Sequence, residues 1–372
     1  MMLFSQATIK NKKRSLRILF LTGEINFADG VSSHLYNLIG GLSGNKETEP
    51  VLYCAGGEAE SKFRDSGIKV YTDRTVDHSS RSFFSFAKAV LKIKNFCSEN
   101  SIGIIHSHNH YTANIAAKAV IKTGISTVQT IHGLIPEGGR LKHFNADRYV
   151  SLNGQITEFL ISKKNIPENN IIQIRQGIPV EKLFRKKILS GVPVILFAAR
   201  LIKEKGGDVF IRAAAEIRKK YGSEMKFIIA GGGIEENELK KLSEELNADI
   251  EFTGTLNDIY KLMKSADIFV NSTGIRTEGF PMTIAEAAYS GCLIISTEGK
   301  WLNEIFENNT DGFTFRIGGH KELAEKIMNS LENKESSREI AVSFQNRSER
   351  LFSLKEMTDK HIELYRECLK KI

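Results

Sequence analysis

Two acids, two cations and a run of histidines are the side chains with which this chain could do chemistry. Glu286 falls in an otherwise apolar stretch, Ile284–Ala288, and Glu278 stands in the polar loop Glu278-Gly-Phe-Pro281 just before it. Gly279 beside Glu278 lets a ligand approach the backbone. An ionised carboxylate among apolar neighbours is costly unless it meets donors. Sugar hydroxyls would serve for Glu286, because a carboxylate accepts several hydrogen bonds; backbone N–H groups are the structural alternative. Arg200 and Lys205 follow the apolar run Pro193–Ala199. They therefore lie on the loop outside a strand's carboxyl end, where ligands of α/β sheets bind. Arg could grip a diphosphate with its fork and Lys as a point charge, though surface charge on a loop is the simpler reading. His106, His108 and His110 alternate, and His132 ends a later strand. Such a group raises the question of metal. No carboxylate or thiol lies close to them in sequence, so the expectation is no metal and no other cofactor.

These residues need a scaffold that brings strand ends together. Ser265–Glu298 reads as strand, loop, helix, strand: Ala266–Asn271, then a helix Pro281–Ser290, then Cys292–Ser296. Pro281 suits the first helical position because it has no N–H to leave unpaired, and Gly291 suits the stop. A helix N-terminus at the end of a parallel strand favours a phosphate-bearing ligand. The same alternation runs along the whole chain. Strands are expected at Arg17–Thr22, Val51–Cys54, Lys69–Tyr71, Ile102–His106, Ser126–Ile131, Arg148–Leu152 and Ile171–Arg175. Helices fall between them, including about Ser32–Leu42, Phe83–Cys97, Thr112–Lys122 and Gln155–Lys164. Strands alternating with helices mean βαβ units and a doubly wound α/β fold. Gln176-Gly-Ile-Pro179 breaks the rhythm. A second α/β series then begins, with strands at Pro193–Ala199, Met225–Ala230 and Ile250–Phe252 and helices at Asp208–Tyr221, Glu236–Leu246 and Asn257–Lys264. The expected division is a first domain over residues 1–185, a second over 186–352, and a C-terminal helix over 353–372 that packs back on the first.

The chain has 372 residues, enough for two cores. Its net charge of +8 is unevenly shared. Met1–Lys187 holds 26 basic and 15 acidic residues, a net of +11, and the remainder nets −3. A basic front half suits an anionic partner: a charged acceptor, a lipid headgroup surface or nucleic acid. No aromatic–basic interleaving or nucleic-acid-binding motif accompanies it, so nucleic acid is not expected. The start lacks the layout of a signal peptide, and no apolar run is long enough to span a bilayer. Four scattered cysteines without a C-x-x-C fit a reducing cytoplasm. A dinucleotide dehydrogenase is excluded by the lack of G-x-G-x-x-G after the first strand.

In order along the second half stand Phe197-Ala-Ala-Arg-Leu-Ile-Lys-Glu-Lys-Gly206, Phe227-Ile-Ile-Ala-Gly-Gly-Gly233, Phe252-Thr-Gly254, Glu278-Gly-Phe-Pro281 with Glu286-Ala287 and Gly291, then Glu304 and Asn309-Thr-Asp-Gly-Phe313. This order and spacing resemble the retaining GT-B glycosyltransferases of the glycosyltransferase family 4 type, the glycosyl transferases group 1. The first half matches more loosely, through Gly30-Val31, His132-Gly133 and Gly177-Ile-Pro179. The chain departs from the pattern at Asp29, where a Gly pair is usual, at Gln176, where Asn is usual, at Ala288-Tyr289 and at Cys292-Leu293.

The resemblance implies two Rossmann-like domains facing across a cleft. The second would bind a nucleotide-activated sugar, with UDP or GDP as the nucleotide, and the first the acceptor. Arg200 and Lys205 would hold the donor diphosphate and stabilise the leaving group. Glu278 would contact the donor sugar and Glu286 the ribose. Backbone at Thr255 and Leu256 would read the base, and the N–H groups of Met282, Thr283 and Ile284 would face the phosphates or sugar. Gly232, Gly279, Phe280 and Pro281 would border the donor, and Gly30 would let the first loop approach the diphosphate. His132 would approach the anomeric carbon. The implied activity is transfer, with retained configuration, to a glycan or lipid-linked acceptor in surface polysaccharide or lipopolysaccharide synthesis. It would take place in the cytoplasm, with peripheral attachment to an anionic inner membrane face as the allied expectation. A sugar-nucleotide epimerase of the same architecture is the enzymatic rival, and a basic nucleic-acid-binding protein the rival from another class.

Overall fold

The computed structural model describes residues 15–27, 29–79, 82–134, 144–179, 191–222, 224–256, 258–274, 282–300 and 302–370. Two parallel sheets dominate it. The first contains β1 (Leu16–Leu21), β2 (Thr48–Cys54), β3 (Lys69–Thr72), β4 (Ile104–Ser107), β5 (Ser126–Ile131), β6 (Arg148–Ser151) and β7 (Ile171–Gln173), in the order β3-β2-β1-β4-β5-β6-β7. The second contains β8 (Val194–Ala198), β9 (Lys226–Ala230), β10 (Ile250–Gly254), β11 (Ile268–Asn271), β12 (Leu293–Thr297) and β13 (Gly312–Phe315), in the order β10-β9-β8-β11-β12-β13. Each order reverses beside its first strand, so each domain has a crevice at its carboxyl edge between β1 and β4, or between β8 and β11. The fold is the expected pair of Rossmann-like domains.

The central strands are covered by helices on both faces and are apolar almost throughout. Ile18, Leu19, Phe20 and Leu21 of β1 are wholly buried, as are Leu293, Ile294 and Ile295 of β12. The helix Leu354–Lys370 does leave the second domain for the first. Its Met357, Ile362, Leu364, Tyr365 and Cys368 join the core built on Ile18, Phe20, Leu38 and Leu42. The two chain crossings lie side by side: Ile178 donates its N–H to Phe352 at 2.9 Å and forms a parallel bridge with Ser353. A Cβ at Gly177 would stand 2.5 Å from the Cα of Leu354, so only glycine lets the crossings touch. The expected boundary after residue 185 lies outside the described residues.

Several expectations for single elements are corrected. The first helix runs Gly30–Ser43, starting two residues earlier than read, because Asp29 caps it by accepting from the Ser32 N–H. The helix expected from Thr112 starts at His110, where Asn109 supplies the cap, and ends at Ala119. The helix expected from Asn257 is described only over Tyr260–Ser265. A short helix, Glu60–Asp65, and the strand β13 were not expected.

Candidate active site

The loop after β8 is fixed from two sides. Gly231, at φ +130°, passes under it so closely that a Cβ would stand 2.0 Å from the Ala199 carbonyl oxygen. Ala199 N–H donates to Ala230 and Leu201 N–H to Gly232, which tie the residues flanking Arg200 to the glycine turn. Gly206, at φ +70°, would clash through a Cβ with the Ser272 carbonyl oxygen at 2.2 Å, and its own carbonyl accepts from Ser272 Oγ at 2.7 Å. Arg200 and Lys205 thus sit on a loop braced by β9 and β11, at the crevice of the second sheet. Gly232 serves this bracing: its carbonyl holds Leu201, and a Cβ there would meet Thr255 Oγ1 at 2.7 Å. Gly231, not Gly232, lines the cavity described next.

A cavity of about 360 Å³ lies between the two domains. Of the candidate residues, Arg200, Lys205, Thr255, Leu256, Met282, Thr283 and Glu286 line it from the second domain. Gly30 and His132 line it from the first. Ile284 is wholly buried in the core, so its side chain takes no part. Glu278, Gly279, Phe280 and Pro281 lie outside the described residues. Sequence reasoning missed Lys62, Tyr260, Asn271 and Thr273, which also line the cavity. A larger open cavity of about 700 Å³ lies beside Glu298–Lys300 and Asn303 and is lined by none of the expected donor residues.

Glu286 is buried, and its partner in the structure is neither of those anticipated but the Tyr260 hydroxyl, which donates to its Oε1 at 3.2 Å. Burial pushes its carboxyl up to about 7, against the smaller opposing pull of the Tyr260 hydrogen bond and of Lys62 across the cavity. Asp29 Oδ2 accepts from both the N–H and the Oγ of Ser32, so the first helix meets the cavity with a carboxylate over its N-terminal N–H groups. A second anion is disfavoured at that helix end. The departure at Asp29 therefore bears directly on how this domain could approach a diphosphate.

Under the first-domain wall lie five histidines. His132 Nε2 stands 3.0 Å from His108 Nδ1, and His34, from the first helix, meets the His132 ring edge-on at 5.0 Å. His106 bridges the Tyr365 hydroxyl at 2.7 Å and Thr130 Oγ1 at 2.8 Å, and His361 Nδ1 bonds the Met357 carbonyl at 2.8 Å. Burial pulls His34, His106 and His108 well below the usual imidazole range. It lowers His132 to about 4, overriding nearby Asp29, and His361 to about 4. All five are thus neutral at pH 7, and His108 can fix which nitrogen of His132 carries the proton. The ligating nitrogens of His34, His108 and His132 also lie within 4.8 Å of one another, a spacing three neutral imidazoles could use to hold a metal ion. The expectation of no metal was reached without His34.

The two halves of the chain match two adjacent family models. Residues 28–182 match "Glycosyltransferase Family 4", and residues 180–346 match "Glycosyl transferases group 1". The chain belongs to the GT-B glycosyltransferases of the family 4, group 1 type. Among similar proteins, an N,N'-diacetylbacillosaminyl-diphospho-undecaprenol alpha-1,3-N-acetylgalactosaminyltransferase of Campylobacter jejuni is 24% identical over 323 residues, covering 78% of this chain and 83% of that one. A UDP-Gal:alpha-D-GlcNAc-diphosphoundecaprenol alpha-1,3-galactosyltransferase of Escherichia coli is 23% identical over 304 residues, covering 73% and 77%. In fold, the glycosyltransferase resembles one from Rickettsia africae (TM-score 0.81, 20% identity, 96% of this chain and all of that one). It also resembles Anabaena HepE in its complex with UDP-glucose (TM-score 0.80, 17% identity, 95% of this chain and all of that one). Among the described residues of this glycosyltransferase, no helix is long and apolar enough to cross a membrane.

Proposed function

We propose that this glycosyltransferase moves a sugar, with retained configuration, from a UDP- or GDP-sugar to a glycan carried on a lipid diphosphate. The observation that carries the reading is the cavity between the domains. Two cations at the crevice of the second sheet face it together with a buried carboxylate in the second turn of the Met282–Tyr289 helix, and a neutral histidine closes it from the first domain. Arg200 and Lys205 hold the diphosphate, Thr255 and Leu256 border the base, Glu286 accepts from ribose hydroxyls, and His132 faces the sugar. Glu278 contacts the sugar hydroxyls. The acceptor hydroxyl attacks the anomeric carbon, the bond from that carbon to the diphosphate oxygen breaks, and the acceptor proton passes to the departing diphosphate on the same face. Preorganised cations at the leaving group are the main source of acceleration in such a site. The relatives' names support the acceptor class, and the alpha-1,3 linkage in both agrees with retention when the donor is α-configured.

The test is NMR of the product formed from a UDP-sugar and an undecaprenyl-diphosphate-linked acceptor. An α-linked product, formed only with acceptor present, is expected. A β-linked product would overturn retention, and consumption of the donor without acceptor would favour an epimerase or hydrolase.

Glu286 gives the site a pH dependence. Ribose hydroxyls donate to the ionised carboxylate, and its pKa in the free protein is about 7. Donor affinity should therefore fall below pH 7 by about tenfold per unit, with proton release on binding near pH 6. In Glu286→Gln the affinity should be low and free of this slope. Calorimetry in two buffers of different ionisation heat reads both effects, and a flat wild-type profile would remove Glu286 from the donor site.

A further inference from the structure

The helix Phe83–Glu99 carries an apolar stripe that nothing among the described residues covers. Phe83 and Phe84 are 81% and 83% exposed, and Leu91 is 59% exposed. Phe84, Ala87, Lys88, Leu91 and Lys94 recur at helical spacing on the solvent side. The buried residues Ala89, Ile93 and Cys97 hold the opposite face against Leu19, Leu21, Val51 and Tyr53 of the sheet. Core packing is therefore complete without the stripe, and two adjacent phenylalanines in water are a standing cost. The helix carries Lys88, Lys92 and Lys94 and no acid before Glu99. Lys92 is paired with Asp73, which leaves Lys88 and Lys94 flanking the apolar residues. Around them is the half of the chain whose net charge is +11.

The placement is equally specific. The helix follows β3, so its first turn lies at the carboxyl edge of the sheet, the edge that also presents His108 and His132. Phe86 of that first turn packs against Tyr111 at 6.0 Å, in the helix that begins directly after the His108 loop.

We propose that this stripe docks the protein on an anionic lipid bilayer, with Phe83, Phe84 and Leu91 entering the headgroup–acyl boundary and Lys88 and Lys94 reaching the phosphates. An amphipathic helix lying in the interface plane, with long lysine stems alongside its apolar residues, is the arrangement that suits such a surface. Self-association through the same face is disfavoured, because a twofold contact would set the Lys88 and Lys94 pairs of two copies against each other. The inference rests on the lipid-linked acceptor proposed above: docking on this edge presents the acceptor side of the cleft to the membrane.

The experiment is flotation of the full-length protein with vesicles of phosphatidylcholine alone and of phosphatidylcholine mixed with phosphatidylglycerol. Wild type should float with the anionic vesicles and only weakly with the neutral ones. The double variant Phe83→Ala/Phe84→Ala should lose about tenfold or more in partitioning. Lys88→Gln/Lys94→Gln should lose about fivefold per lysine, on anionic vesicles only. Thermal stabilisation by UDP should be unchanged in both variants, which separates this inference from the donor reading. Absence of wild-type binding to anionic vesicles would overturn the proposal. So would binding that neither variant weakens, or a dimer in light scattering that Phe83→Ala/Phe84→Ala dissociates.

Discussion

Arg200→Ala and Lys205→Ala should each lower kcat by about 10²–10³-fold, the range for removing one preorganised donor from a developing oxyanion. Together they should cost about 10³–10⁵-fold, less than the product of the singles if both grip the same phosphate. The loss belongs in kcat because the diphosphate gains charge as the sugar bond breaks, so contacts there tighten in the transition state. Arg200 is exposed, and the loop backbone is held by Gly206, Gly231 and Ser272. Arg200→Ala should therefore keep the wild-type melting temperature. Steady-state kinetics at saturating acceptor reads the effect. An unchanged kcat with a raised KM would mean that the cations bind donor without assisting departure. Unchanged kinetics in both would place the diphosphate elsewhere.

The second large effect is on stability. His132 and His361 are held near 4, against about 6.5 in an unfolded chain. Below pH 6.5 the unfolded chain takes up protons that the folded one refuses, so the stability these groups allow above that pH is lost as it falls toward 4. At about 1.4 kcal/mol per unit, the two together account for about 6–7 kcal/mol, comparable with the whole stability of a typical domain. His34, His106 and His108 act in the same direction. Glu286 opposes them: its raised pKa stabilises the fold at low pH, and that contribution, about 3 kcal/mol, fades as pH rises through 7. Stability should therefore peak near neutrality and collapse steeply below about pH 6. Denaturant titrations across that range would show it. His34 is the sharpest probe, since neither of its buried nitrogens has a partner among the described residues. His34→Phe should reduce the acid slope by about 1.4 kcal/mol per pH unit. An unchanged slope would mean that the histidines do not govern acid unfolding.

The fold was readable because strands covered on both faces need apolar residues at nearly every position, as in Ile18–Leu21 and Leu293–Ile295. β13 escaped because it is an edge strand, half-buried and opened by a glycine. The helix Glu60–Asp65 escaped because it is short and buries only Phe63, and with it went Lys62, which faces Glu286 across the cavity. On the second domain, Arg200, Lys205 and Glu286 were legible because a loop after a buried strand and an acid inside an apolar helix are local signals. The histidine group was not. His34, His108, His132 and His361 come from four separate segments, and only the fold brings their rings together. Tyr260 likewise meets Glu286 only through the packing of two helices, whereas its place in sequence gave no sign of a partner.

The most direct measurement is the melting temperature of the full-length protein with UDP and with GDP, for wild type and for Arg200→Ala/Lys205→Ala. A ligand at a hundredfold excess over its Kd stabilises the folded state by about 2.7 kcal/mol. One of the two nucleotides should raise the wild-type melting temperature clearly and leave the double variant unmoved. No shift with either nucleotide, or an equal shift in the double variant, would contradict a donor site built on Arg200 and Lys205.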